Sequence, residues 1–183
     1  MILPYSAADA KVLAAIDESG LTSHRVSEVR KAWDHAVLVP KGRKTYVRYF
    51  TSPTSRRVCE VIVRTLRLHG IGGAHAHIAS GSLLALQNEA DAMEQMLHLD
   101  LAPCDRDHAY TVDCALGEGF GLDVDVENVD ARTRVQVPAW HLVVLGGHLR
   151  HAGVAALSLT NPRVFAVVSL IQGAHPSAST YRA

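Results

Sequence analysis

No stretch of this 183-residue sequence approaches the roughly 18 uninterrupted apolar residues of a membrane-spanning helix, and no basic segment followed by an apolar core opens it. Neither a membrane span nor a cleavable secretory signal is expected. Cysteine is scarce: Cys59, Cys104 and Cys114 are an odd number without a close pair, which argues against a disulfide frame and fits reduced thiols in the cytoplasm or another intracellular compartment. Catalytic signatures are missing as well. Gly70-Ile71-Gly72-Gly73 has the wrong spacing for a dinucleotide or phosphate loop, and no histidine sits where it would mark Cys104 as a nucleophile.

Hydrophobic residues at 48% and charged residues at 20% are globular values, and they exclude a disordered, collagen-like or coiled-coil chain. The length suits one domain over residues 1–183, burying about 70% of its unfolded surface. Net charge is also absent, but the zero hides an asymmetry. Residues 1–70 carry twelve Lys/Arg against six Asp/Glu, and residues 71–183 carry the compensating acidic excess. That separation suits a polyanion against the first part, or like subunits meeting head to tail as a homo-oligomer.

Ser6-Ala7-Ala8-Asp9 is a capping box opening a short helix that Gly20 ends. Thr22 or Ser23 caps a second helix, with Val26, Val29 and Trp33 inward. Residues 37–50 then read as a hairpin whose tip is Lys41-Gly42-Arg43-Lys44. Two short helices followed by a basic hairpin resemble a helix-turn-helix with a wing, over about the first fifty residues. Ser52-Pro53 opens a further helix with Val58, Val61, Ile62 and Thr65 on its buried stripe and Gly70 as its stop. Its arginines continue the basic surface, so the candidate phosphate-contacting set is Lys41, Arg43, Lys44, Arg48, Arg56, Arg57, Arg64 and Arg67.

Ser82 reads as the cap of a central helix, with Leu83, Leu86, Ala90, Met93 and Leu97 on one face. Leu99 to Asp107 is then a loop. Tyr110 to Leu116 and Phe120 to Val126 alternate as strands, and the glycines at 117 and 119 suggest a hairpin between them. A third strand, Arg132 to Val137, pairs with the second across a four-residue loop, setting Glu127 opposite Arg132 and Asp125 opposite Arg134. Val154 to Leu159 and Val164 to Ile171 form another hairpin, apolar enough to be buried on both faces. Residues 140–152 read as a poor helix or a bent strand, and the tail from Gly173 onward ought to fray. The expected fold is α+β: N-terminal helices and a basic hairpin, a central helix layer, and a mostly antiparallel sheet of about five or six strands.

His75 and His77, at i and i+2 of an extended segment, face the same way and have a spacing that zinc sites use. Further ligands would have to come from His69, His98, His108, Asp100 or Asp105, and the spacing selects none of them. Asp123, Asp125 and Glu127 share a face that magnesium could use, but arginines opposite two of them favour a structural role. His141, His148 and His151 are grouped as a pH-sensitive surface. The leading expectation is a non-enzymatic, nucleic-acid-associated protein, within an ordered shell or coat and without a cofactor. The alternatives are a self-assembling subunit without nucleic acid, and a metal-dependent enzyme, zinc being the candidate ion, built on His75 and His77.

Overall fold

The computed structural model describes residues 1–14, 21–25, 45–50, 52–88, 94–116, 119–125, 132–154, 163–176 and 178–182. Among these residues there are two helices, α1 (Ala7–Ala14) and α2 (Ser52–Leu68). Both begin as their caps predict. The Ser6 hydroxyl donates to Asp9 Oδ2 at 2.7 Å and accepts the Asp9 amide at 3.1 Å, closing the capping box. In α2 the predicted stripe of Val58, Val61, Ile62 and Thr65 is buried, and Gly70, at φ 71°, follows its end.

Everything else regular is strand: β1 (Ile2–Pro4), β2 (Leu21–Arg25), β3 (Thr45–Phe50), β4 (His77–Ile78), β5 (Leu84–Asn88), β6 (His98–Leu101), β7 (Ala109–Ala115), β8 (Phe120–Asp125), β9 (Arg132–Val137), β10 (His141–Gly146), β11 (Arg150–Gly153), β12 (Arg163–Ser169) and β13 (Ala178–Arg182). The larger sheet runs β1-β10-β7-β12-β5-β3-β2, with β4 also beside β12. The smaller runs β13-β6-β11-β8-β9.

The inner faces of the two sheets meet in two apolar clusters. Phe120, Leu122 and Val124 pack with Ala115, Val143 and Leu145 in one, and Leu101 packs with Phe165 and Val167 in the other. The outer face of the large sheet is covered by the helices, with Val164, Ala166 and Val168 joining Val58, Val61, Ile62 and Leu66 of α2. Each fully buried Val, Leu or Ile contributes about 1.5–3 kcal/mol. Strand β12 is therefore buried at every position, as its apolar sequence predicts. Two antiparallel sheets closed on each other in this way are a jelly roll.

That architecture corrects the α+β expectation with a central helix layer. Ser82 caps no helix: its hydroxyl donates to Ala79 O at 2.8 Å and accepts Val167 N–H at 3.0 Å, tying the start of β5 to β12. Leu84 and Leu86 alternate as readily as Leu83 and Leu86 repeat at helical spacing, and the flanking strands β12 and β3 take up the backbone of β5 as sheet. The second helix expected from Thr22 or Ser23 begins instead as β2, paired to β3. Val26, Val29, Trp33 and the basic tip at Lys41, Arg43 and Lys44 lie outside the described residues.

The alternations in β7 and β8 are real, yet the strands are not a hairpin, because the chain crosses from the large sheet to the small one between them. Between β8 and β9 the register is shifted by two residues from the expected one: Asp125 opposes Arg132 and Asp123 opposes Arg134. An even shift keeps the charges on one face. Glu127 and residues 155–162 lie outside the described residues. Residues 141–153 form two strands in different sheets, β10 and β11, and the expected fraying tail forms β13 against β6.

Candidate metal centre

The short strand β6 carries His98 and Asp100 at i and i+2, so both side chains project to the same side. Strand β11 lies beside it, with His151 directly opposite His98. The turn before β11 fixes that register. Leu149 N–H donates to Gly146 O at 2.9 Å, and Gly147 packs so closely that a Cβ there would stand 2.4 Å from Arg106 O. All three functional side chains are withdrawn from solvent; His98 is 6% exposed and His151 4%.

Their hydrogen bonds fix which atoms face inward. His98 Nδ1 lies 2.8 Å from Met96 O and His151 Nδ1 3.2 Å from Leu149 O. A carbonyl only accepts, so each Nδ1 carries the proton and each Nε2 is left as the ligating nitrogen. Nε2 of His151 stands 3.1 Å from Asp100 Oδ2, and Nε2 of His98 3.4 Å from Oδ1. Although close, Oδ2 receives no well-directed hydrogen bond.

One ligand atom from each of the three residues lies within 4.8 Å of the other two. An ion bonded at about 2.1 Å holds its adjacent ligands about 3 Å apart, close to the 3.1 and 3.4 Å that separate Asp100 from the two imidazoles. Two imidazole nitrogens with fixed tautomers, and one carboxylate with an unused oxygen, fit a divalent transition metal. Two His and one carboxylate on one face, with the remaining positions open, is the donor set of non-haem iron(II) oxygenases.

The electrostatics fit the same use. Burial works to raise the Asp100 carboxyl, but the positive charge of His151 beside it holds it far below the usual carboxylate range. Burial works to lower His151, and the Asp100 carboxylate outweighs it, pushing the imidazole up to about 9. Without metal the pair is a buried imidazolium and carboxylate; an incoming cation replaces the proton.

His75 and His77 are arranged differently. His75 is exposed, and both ring nitrogens of His77 lie 3.0 Å from carbonyl oxygens, of His75 and of Ala174. Among the described residues, the grouping able to hold an ion is His98, Asp100 and His151. His69 and His108 are exposed at the surface. The three histidines grouped as a titrating surface are dispersed: His141 bonds Ala139 O, His148 pairs with Asp107 at 2.8 Å, and only His151 is buried. Of the basic set, Arg56 and Arg57 are exposed, Arg64 pairs with buried Asp9, Arg67 donates to Ala74 O, and Arg48 lies on β3. Asp123 pairs with Arg134 at 2.9 Å and Asp125 with Arg150, which gives these acids structural partners.

The sequence hid the triad because residues 82–97 also fit a helical period and residues 99–107 look like loop. Once β6 is a strand, His98-Leu99-Asp100 has the same one-face spacing that drew attention to His75 and His77. His151 is brought to it only by the pairing of distant strands.

No protein-family model and no curated protein matches the chain. Among solved structures, an oxidoreductase of the 2OG-Fe(II) oxygenase family from Burkholderia pseudomallei is similar with a TM-score of 0.57 at 15% identity, over 95% of this chain and 94% of that one. A prolyl-4-hydroxylase from Pseudomonas putida is similar with a TM-score of 0.50 at 15% identity, over 88% and 98%. At such identities the likeness is one of fold. Together with the triad, it overturns the expectation of a non-enzymatic, nucleic-acid-associated or coat protein without a cofactor, and favours the metal-dependent enzyme, with its ligands moved from His75 and His77 to His98, Asp100 and His151.

Proposed function

We propose that this protein is an iron(II)-dependent oxygenase that uses a 2-oxoacid, 2-oxoglutarate in the first instance, as cosubstrate. The observation that carries this is the buried His98–Asp100–His151 set, with both Nδ1 atoms anchored on carbonyls and both Nε2 atoms turned toward one carboxylate. Iron, when bound, would supply the chemistry by which O2 is divided between a 2-oxoacid, which loses CO2, and a second organic substrate.

The chain's own residues hold and shield. His98, Asp100 and His151 would bind the metal on one face and leave the opposite face to ligands. The apolar cluster of Phe120, Leu122 and Val124 keeps the neighbouring interior dry. Arg163, the only Arg or Lys buried among the described residues, projects from β12 into the same interior and is the group suited to orient a carboxylate. The similar folds of the 2OG-Fe(II) oxygenase-family oxidoreductase and of the prolyl-4-hydroxylase support this assignment by analogy.

Oxygen uptake by the iron(II)-loaded protein tests the proposal. Uptake should depend on 2-oxoglutarate and fall at least about a hundredfold in His98→Ala and His151→Ala, as for loss of a metal ligand. Uptake without 2-oxoacid dependence, or undiminished in both variants, contradicts it.

A further inference from the structure

The barrel interior holds a second pair of buried charges beside the triad. Asp113 on β7 and Arg163 on β12 are 4% and 6% exposed. The strands pair Asp113 with Phe165 and Arg163 with Ala115, which makes the two side chains diagonal neighbours on the inner face. Arg163 Nε lies 3.4 Å from Asp113 Oδ1, and the guanidinium stands 5.7 Å above the Phe120 ring.

This carboxylate is incompletely hydrogen-bonded for one so deeply buried. Asp113 Oδ1 accepts no directed hydrogen bond, whereas a buried ion pair recovers its desolvation cost only with good hydrogen-bond geometry. Consistent with that, burial pushes the Asp113 carboxyl up in spite of the Arg163 charge. The charges of Asp100, His151 and His98 also act on Asp113, so the pair and the triad share one electrostatic enclosure.

We propose that Asp113 is an internal competitor for Arg163: it occupies the guanidinium in the resting protein, and the carboxylate of an incoming ligand has to displace it or share the cation with it. The identity of that ligand, a 2-oxoacid, rests on the oxygenase assignment; the competition rests on the geometry of Asp113 and Arg163. Two carboxylates on one cation repel each other, so a ligand held by its carboxylate alone binds poorly. A ligand that also reaches the triad's metal gains a second attachment and overcomes the competition. Asp113 thus lowers the affinity of every carboxylate that reaches Arg163, and binding persists for ligands that also chelate the metal.

The test is calorimetric binding of glutarate and of 2-oxoglutarate to wild type, Asp113→Asn and Asp113→Asn/Arg163→Met, each metal-free and loaded with manganese(II) under anaerobic conditions. Asp113→Asn should bind glutarate at least about tenfold more tightly than wild type with or without metal, and the double variant should lose the gain. Unchanged or weaker glutarate binding in Asp113→Asn overturns the proposal, as does absence of binding in every protein. Should Asp113→Asn not fold, Asp113→Ser gives the same comparison, and failure of both overturns the proposal by making Asp113 a structural partner. Manganese stoichiometry, read before any anion is added, separates the two ideas. A protein that takes up no metal counts against the oxygenase, while an unaltered anion affinity counts against the role of Asp113 alone.

Discussion

Among the described residues, four histidines share one local device. The Nδ1 atoms of His77, His98, His141 and His151 each lie within hydrogen-bonding reach of the carbonyl two residues earlier. The device fixes a tautomer but does not by itself make a ligand. The difference lies at Nε2, which meets a carbonyl in His77 and the Asp100 carboxylate in His98 and His151. Asp123 shows a carboxylate used structurally instead. Hydrogen bonds from Arg134 hold its carboxyl below the usual range although burial works against them. A carboxyl lowered on folding contributes stability that is present above its unfolded value and lost as pH falls through the folded one. The midpoint of thermal unfolding should therefore fall with pH below about 4, and less steeply in Asp123→Asn, which cannot titrate. Equal slopes for the two proteins would contradict this role. The arginine partnership was legible as a face of alternating acids opposite alternating arginines. The register was not, because Asp125 rather than Glu127 pairs with Arg132, so that six residues separate the paired positions where four were expected.

The functional strands β6 and β11 are four residues each. Strands so short carry little alternation, which is why residues 99–107 read as loop and residues 140–152 as a poor helix or a bent strand. Longer elements declared themselves: α2 through its proline start and buried stripe, and β12 through its continuous apolar run. Gly147 is the lever on β11. A methyl group there would meet Arg106 Cα at 2.5 Å and Arg106 O at 2.4 Å, and backbone atoms have no rotamer by which to withdraw. Gly147→Ala should destabilise the fold by about 1–3 kcal/mol and weaken metal binding together, because the strand that carries His151 has to move. Denaturant midpoints and metal titration check both effects; an unchanged midpoint would show that the turn does not set β11.

At the scale of the molecule, the segregation of basic and acidic residues drew the sequence-based expectation toward a polyanionic partner, whereas the site the fold assembles lies inside the barrel. Surface charge is visible in a sequence as composition; an interior site depends on which distant strands pair, and His98, Asp100 and His151 meet only through β6 and β11. Among the described residues no helix is long and apolar enough to cross a membrane. What composition did convey was a chain able to close an apolar core, and the two sheets close it.

Anaerobic titration with iron(II), followed by metal analysis of the isolated protein, tests the central claim most directly. Wild type and the His75→Ala/His77→Ala variant should both retain one iron per chain, while His98→Ala, Asp100→Asn and His151→Ala should each lose it. Retention of iron by the three triad variants, or its loss on changing His75 and His77, would contradict the assignment.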